Sequence, residues 1–295
     1  MGFDTAYEAI SEETDTGHRW AFGTGFTDPL AGVDTAVPAG IDGADLAAYC
    51  LMLGDDALIM SHRLQEWLAR APELEEDTAL ANIGLDLLGQ ARLLLARAGA
   101  ADVSRRTEDD YAFGRGEGEF RNARLAEVTD ADFAGLMARV LVFSTWRLAL
   151  LTRLRSSADP VLAAVAAQGV KELTYHRDYA AQWVIRLGDG TDYSRARMEA
   201  GLADTAPLVP ELFEPSAAEQ RLAAVGVAVD PSGLRAEFDA VIAHVLGEAG
   251  LDWPESPELA NVSGQAGRDG VHTEAMGDLL AELQSVARAL PGATW

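Results

Sequence analysis

Two stretches of this chain have the spacing of a two-metal site but few of its ligands. Helical bundles that hold two iron or manganese ions take Glu-x-x-His from each of two helices and one further Glu from each of the other two. The three-residue step matters because it puts both side chains on one helical face, aimed at one centre. In the first stretch, Ala79 to Leu95, the residues at that place are Leu87-Leu88-Gly89-Gln90. In the second, Lys171 to Tyr179, His176 is kept, but Leu173 stands three residues before it. Asp55, Asp56 and Glu172 are the remaining carboxylates within reach of such a centre. Hard cations need several converging oxygen or nitrogen donors, and Ala138 to Leu151 offers neither a carboxylate nor a histidine. Asp55, Leu87, Gln90, Leu173 and His176 therefore read as degenerate ligand positions. No metal ligand and no catalytic residue is assigned. The competing reading is an independent two-metal oxidase using Asp55, Glu172 and His176. For Asp55 and Asp56 the expectation is that one is solvated and the other pairs with an arginine.

Other polar residues support structure more readily than chemistry. Asn82, Asp86 and Gln90 are four apart and form a polar stripe on an otherwise apolar helix. Buried polar groups must be hydrogen-bonded. The stripe predicts a buried network in which an arginine such as Arg147 stands where a cation would. His62 is expected at an interface or exposed, and His244 has only Glu248 at ligand spacing. The single cysteine, Cys50, reads as a small buried hydrophobe. No Gly-rich phosphate loop, Gly-x-Ser-x-Gly elbow or cysteine pair is present.

Charge narrows the partners. A net charge of −24 disfavours nucleic acid and anionic membranes. Of 23 basic residues only Lys171 is a lysine. This suits either a high-salt cytoplasm or an arginine-biased genome, though the second does not explain the acidity. No uninterrupted apolar run of membrane-span length is seen, and the acidic N-terminus has no signal-peptide core. A reducing cytoplasm is the expected location.

The elements that must position these residues are helices. Residues 1 to 40 have no sustained period and read as an extended arm or disordered tail. Leu46, Tyr49, Cys50, Leu53, Ala57, Met60, Leu64, Trp67 and Leu68 then recur at steps of three and four, one helical face ended by Pro72. A second helix runs to about Ala98, apolar on more than one side, as suits the centre of a bundle. Residues 100 to 128 read as a polar connection. Thr129-Asp130 is expected to cap a third helix reaching about Arg155, and Asp159-Pro160 to open a fourth ending near Gly188. Two hairpins joined by a longer crossover make an all-α, ferritin-like four-helix bundle. Further helices are expected at about 192–204, 216–225, 232–249 and 273–289. The chain divides into an N-terminal extension, 1–42, and a ferritin-like domain, 43–295.

Four stretches carry a family resemblance: Leu53 to Leu95, Arg106 to Asn122, Lys171 to Thr191 and Gly270 to Trp295. In order, they resemble the C-type subunits of bacterial phenylacetyl-CoA ring epoxidases, over about residues 43 to 295. The resemblance implies a ferritin-like subunit that supports a related A-type subunit. That relative has the Glu-x-x-His motifs and the di-iron centre. A small B-type subunit and a reductase complete the complex, which uses O2 and electrons from NADPH on phenylacetyl-CoA. Leu87/Gln90 and Leu173/His176 at the matching places imply a structural, non-catalytic partner with no cofactor of its own. The first two helices, with surplus apolar residues on the first, Leu58 and Ile59 above all, and the terminal segment ending in Trp295 are the expected partner contacts.

Overall fold

A computed structural model describes residues 30–255, 259, 265–291 and 293. The expectation of a tail over residues 1–29 and the assignment of Trp295 to an interface lie outside the described residues. The chain divides into two compact units, residues 1–32 and 33–295, and every helix among the described residues lies in the second. No strand occurs among the described residues.

Helix α1 spans Gly43–Gln65. Asp42 caps it, its carboxylate accepting from the Ala44 and Asp45 amides at 2.8 and 3.1 Å. His62 and Arg63 complement the dipole at its other end. The turn that follows holds Ala69 at φ +63°, where the Ala69 and Ala71 amides donate to Asp77. Helix α2, Leu74–Ala101, returns against α1. Gly54 makes this close packing possible, since a Cβ there would lie 2.9 Å from Leu95. The second hairpin is α4, Phe133–Leu154, and α5, Pro160–Gly188.

The order of burial differs from the sequence reading. Helix α2 is not the central helix, because Leu85 and Leu88 on its outer side face solvent. The central helix is α4, buried without a break from Ala134 to Leu151. By length and composition α2 and α4 are each apolar enough to cross a membrane, since a few scattered polar residues barely lower their mean hydropathy. The buried surroundings of α4 mark it as the core of the bundle. Its cap is Asp132, which accepts from the Gly135 amide at 3.0 Å. Asp130 is unavailable for capping because Arg139 binds its carboxylate, Nε to Oδ1 at 2.8 Å.

The connection between the hairpins is polar in composition, exposed over its first half and buried around residues 120–127. It contains α3, Glu108–Phe113, and two 3-10 turns, Glu117–Glu119 and Arg124–Ala126. Phe120 and residues 122–127 are shut from solvent. Beyond the bundle come α6 (Asp192–Thr205), α7 (Ala217–Ala224), α8 (Arg235–Ala249), α9 (Glu274–Leu283) and α10 (Ser285–Ala289). The last expected helix is thus broken in two.

These additions bury α1 on every side. It packs on α2, α7, α9 and the 124–126 turn. Leu58 is 6% exposed and Ile59 is wholly buried. Neither is available to a partner, contrary to the expectation from the sequence. A stripe wider than one face meant a helix with neighbours all round within its own chain.

Candidate functional site

In the bundle interior, α2 and α5 carry four of the degenerate ligand positions, Leu87, Gln90, Leu173 and His176. Leu87 and Leu173 are 1% and 0% exposed. Two apolar side chains therefore fill places where a metal centre needs carboxylate oxygen. Helix α4 contributes Arg147. Its Nε donates to Gln90 Oε1 at 3.0 Å, and its Nη1 to the Leu53 carbonyl at 3.2 Å. Gln90 passes the contact on, donating to Glu172 Oε2 at 2.8 Å, while Gln168 donates to Glu172 Oε1 at 2.7 Å. The network runs guanidinium, amide, carboxylate.

Burial acts on both of its charged ends. It lowers the Arg147 pKa to about 10, still well above neutrality, so the guanidinium remains a cation. It raises the Glu172 carboxyl, against the hydrogen bonds from Gln90 and Gln168. Beside this network His176 Nε2 lies 2.9 Å from Asp86 Oδ2. Asp86 is part exposed, so this pair connects core to surface. Asn82 is exposed. The polar stripe therefore dips inward along α2 instead of staying buried along its length.

Asp55 and Asp56 do other work. Both are wholly buried, so neither is solvated. Arg115 grips Asp55 with both terminal nitrogens, Nη1 to Oδ2 at 2.9 Å, and the Arg121 amide adds a bond at 2.8 Å. Asp56 accepts from Arg268 Nη1 and Nη2 at 2.9 and 2.8 Å, and from the Ala123 amide at 2.8 Å. One aspartate pins the connection to α1. The other pins both the connection and the C-terminal segment.

The two-metal alternative fails on this geometry. Asp55 is saturated by Arg115 and does not converge with Glu172 and His176. Among the described residues, the group of acidic or histidine side chains whose donor atoms do converge is Glu73, Glu75 and Glu76, at the exposed start of α2. A di-iron centre needs carboxylates at the leucine positions and has no place for a buried guanidinium among its ligands. The residues present do not fit one.

Sequence reasoning also missed the buried ionic contacts of His272, Arg97 and Arg124. His272 Nδ1 lies 2.7 Å from Glu127 Oε2, which also accepts from Asn122 Nδ2 at 2.8 Å. Arg97 pairs with Asp159, the α5 cap, and reaches the Thr35 carbonyl at 2.5 Å, which ties residues 33–42 to the helical unit. Arg124 binds Glu211, Nε to Oε2 at 2.7 Å. No local spacing announces pairs so distant in sequence. Of the residues the sequence did single out, His62 is half-buried and Cys50 fully so, and burial pushes the Cys50 thiol up and His62 down.

An all-α bundle of ferritin-like type, with leucine and arginine at its metal positions, defines a class of bundle that has kept the scaffold of di-iron proteins without their ligand set. Residues 35–295 match the family described as phenylacetic acid catabolic protein, and the chain belongs to that family. Over 250 residues it is 44% identical to the C-type subunit of 1,2-phenylacetyl-CoA epoxidase from Escherichia coli (strain K12), covering 85% of this chain and 99% of that protein.

Proposed function

We propose that this chain is the structural, non-catalytic subunit of a multicomponent phenylacetyl-CoA epoxidase. It supports a related di-iron subunit that performs the oxygenation. A small B-type subunit and a reductase drawing electrons from NADPH make up the rest of the assembly, which works in the cytoplasm. The observation that carries the reading is Arg147. A fully buried guanidinium is bonded to Gln90 in the bundle interior, and leucines, Leu87 and Leu173, stand buried at two of the positions where ligands would be needed. Likeness to a protein named as an epoxidase subunit supports the same assignment.

The test is reconstitution. The chain, the di-iron subunit, the B-type subunit and the reductase are purified separately, and oxidation of phenylacetyl-CoA is followed with each one left out. Turnover should need both this chain and the di-iron subunit, and the Arg147→Lys variant, which keeps the cation, should support it. Turnover by this chain with the reductase alone would overturn the assignment.

A further inference from the structure

The C-terminal segment is tied to the rest of the chain at the start of α9, and the tie is ionic. The Thr273 side chain does not cap α9, and among the described residues its buried Oγ1 meets no partner. Glu127, on the connection between the hairpins, supplies the negative group from outside. One of its carboxylate oxygens accepts from the Thr273 amide at 2.5 Å, the other from Asn122 Nδ2 at 2.8 Å. The orphan amides and the dipole of a helix N-terminus favour such a carboxylate. This one is also buried, and a buried carboxylate needs a cation. His272 provides it. Its Nδ1 lies 2.7 Å from Glu127 Oε2, and neither side chain reaches solvent.

The His272 ring has acceptors at both of its nitrogens. Opposite Nε2, at 3.3 Å, is the Phe120 carbonyl. A carboxylate and a carbonyl only accept, so each ring nitrogen must donate, and only the protonated ring carries two donors. The charged groups packed around it are Glu127 and Glu117 of the connection, Arg121, whose Nη1 shares the Phe120 carbonyl at 2.7 Å, and Arg63 of α1, which binds the Glu127 carbonyl and is paired with Glu66. Asp269 and Glu274 flank it in its own segment. Burial opposes the proton, but the hydrogen bond and charge of Glu127 hold it, so it leaves only above the ordinary value of 6.5. His62 of α1, which feels Glu282 of α9, is pushed down by burial and is already neutral there.

We propose that the His272–Glu127 pair is a pH-sensitive clasp: when His272 gives up its proton to solvent, α9 and α10 come away from the connection while the four-helix bundle stays folded. Losing the proton leaves Glu127 as a buried carboxylate without its cation, which is costly until water reaches it. The other ties suit a local opening. Ahead of the clasp Arg268 is paired with Asp56 and keeps its own stretch in place, and Gly270 stands between the two at φ +81°. Beyond the clasp the segment is held by Arg63 donating to the Ala275 carbonyl at 2.6 Å, by Gln284 Nε2 on the Ala112 and Arg115 carbonyls at 3.0 Å each, and by burial of Met276, Leu279 and Leu280. A short helix with one covered side opens more readily than a bundle core.

The test is amide hydrogen exchange in the full-length chain from about pH 6 to about pH 9, each rate being divided by the unfolded-chain rate at the same pH. Amides of α9 should be less protected than those of α4. Their protection should fall by up to about tenfold per pH unit above the ordinary histidine value, as one linked proton requires. His272→Gln keeps a donor toward Glu127 and has no proton to lose. Its α9 should be less protected than in wild type at about pH 6, with a flat profile above it. Equal protection of α9 and α4 at every pH would overturn the clasp, because the segment would then open only with the bundle. A flat wild-type profile in α9, or a slope that survives in His272→Gln, would overturn it as well. The wild-type profiles of α9 and α4 decide by themselves if the variant does not fold.

Discussion

His272 shows how a single residue ties distant parts of this chain together. Its Nδ1 meets Glu127 Oε2, and its Nε2 lies 3.3 Å from the Phe120 carbonyl. The Thr273 amide donates to the other Glu127 oxygen at 2.5 Å, and Arg63 reaches the Glu127 carbonyl at 2.7 Å. Burial works against the His272 cation, yet the hydrogen bond and charge of Glu127 outweigh it and raise the pKa above the ordinary 6.5. The folded state therefore holds this proton more tightly than the unfolded state. The stabilisation is complete below the ordinary imidazole value and is lost as pH rises from there through the higher folded value. His62 shifts the other way by burial, so only the difference between wild type and variant isolates His272. We expect the thermal midpoint to fall across that window in wild type and more gently in His272→Gln. Identical slopes would contradict the contact. At this scale the sequence was legible for residue types and blind to long pairings. The loss of ligands could be read from Leu87 and Leu173, and the Arg147–Gln90 bond was implied by a stripe that needed a donor. Arg268 could not be matched to Asp56, because the two are 212 residues apart and no period records their meeting.

Helices were the most legible elements, because caps and periodicity are local. Asp159-Pro160 opens α5 as its residue types imply. Asp130 misled because Asp132 serves as well as a cap, and only tertiary structure shows that Arg139 occupies the first. Faces were harder to read than boundaries. An apolar side chain reports that it avoids water, not whether its own chain or another covers it. On α1 the cover is the chain's own connection and C-terminal helices, on α2 it is missing. This difference can be measured. Burying an unpaired carboxylate at the Leu58 position should destabilise the isolated chain by roughly 3 kcal/mol or more. Leu58→Asp should therefore lower the urea midpoint sharply or prevent folding, whereas Leu88→Asp should leave it nearly unchanged. A well-folded Leu58→Asp variant that fails only to bind a partner would return the interface to α1.

For the whole molecule, charge and core pull in opposite directions. A formal charge of −24 on 295 residues is self-repelling. Several arginines that could offset it at the surface are instead committed to buried pairs with Asp55, Asp56, Asp159, Glu211 and Asp130. What repulsion remains is between exposed carboxylates, which salt screens over about 10 Å at 0.1 M ionic strength. The thermal midpoint should rise steeply between dilute and molar potassium chloride, and a flat response would mean that the acidity costs the fold little.

The same buried pairs bear on the central question of whether the bundle holds metal. Its ferritin-like architecture could house a di-iron centre, and its interior chemistry is that of a closed core. The most direct measurement is the iron content of the purified chain after anaerobic loading with ferrous iron and removal of loosely bound metal. We predict far less than one iron per chain, with no change on His176→Ala. Two irons per chain, lost in His176→Ala, would contradict the structural assignment.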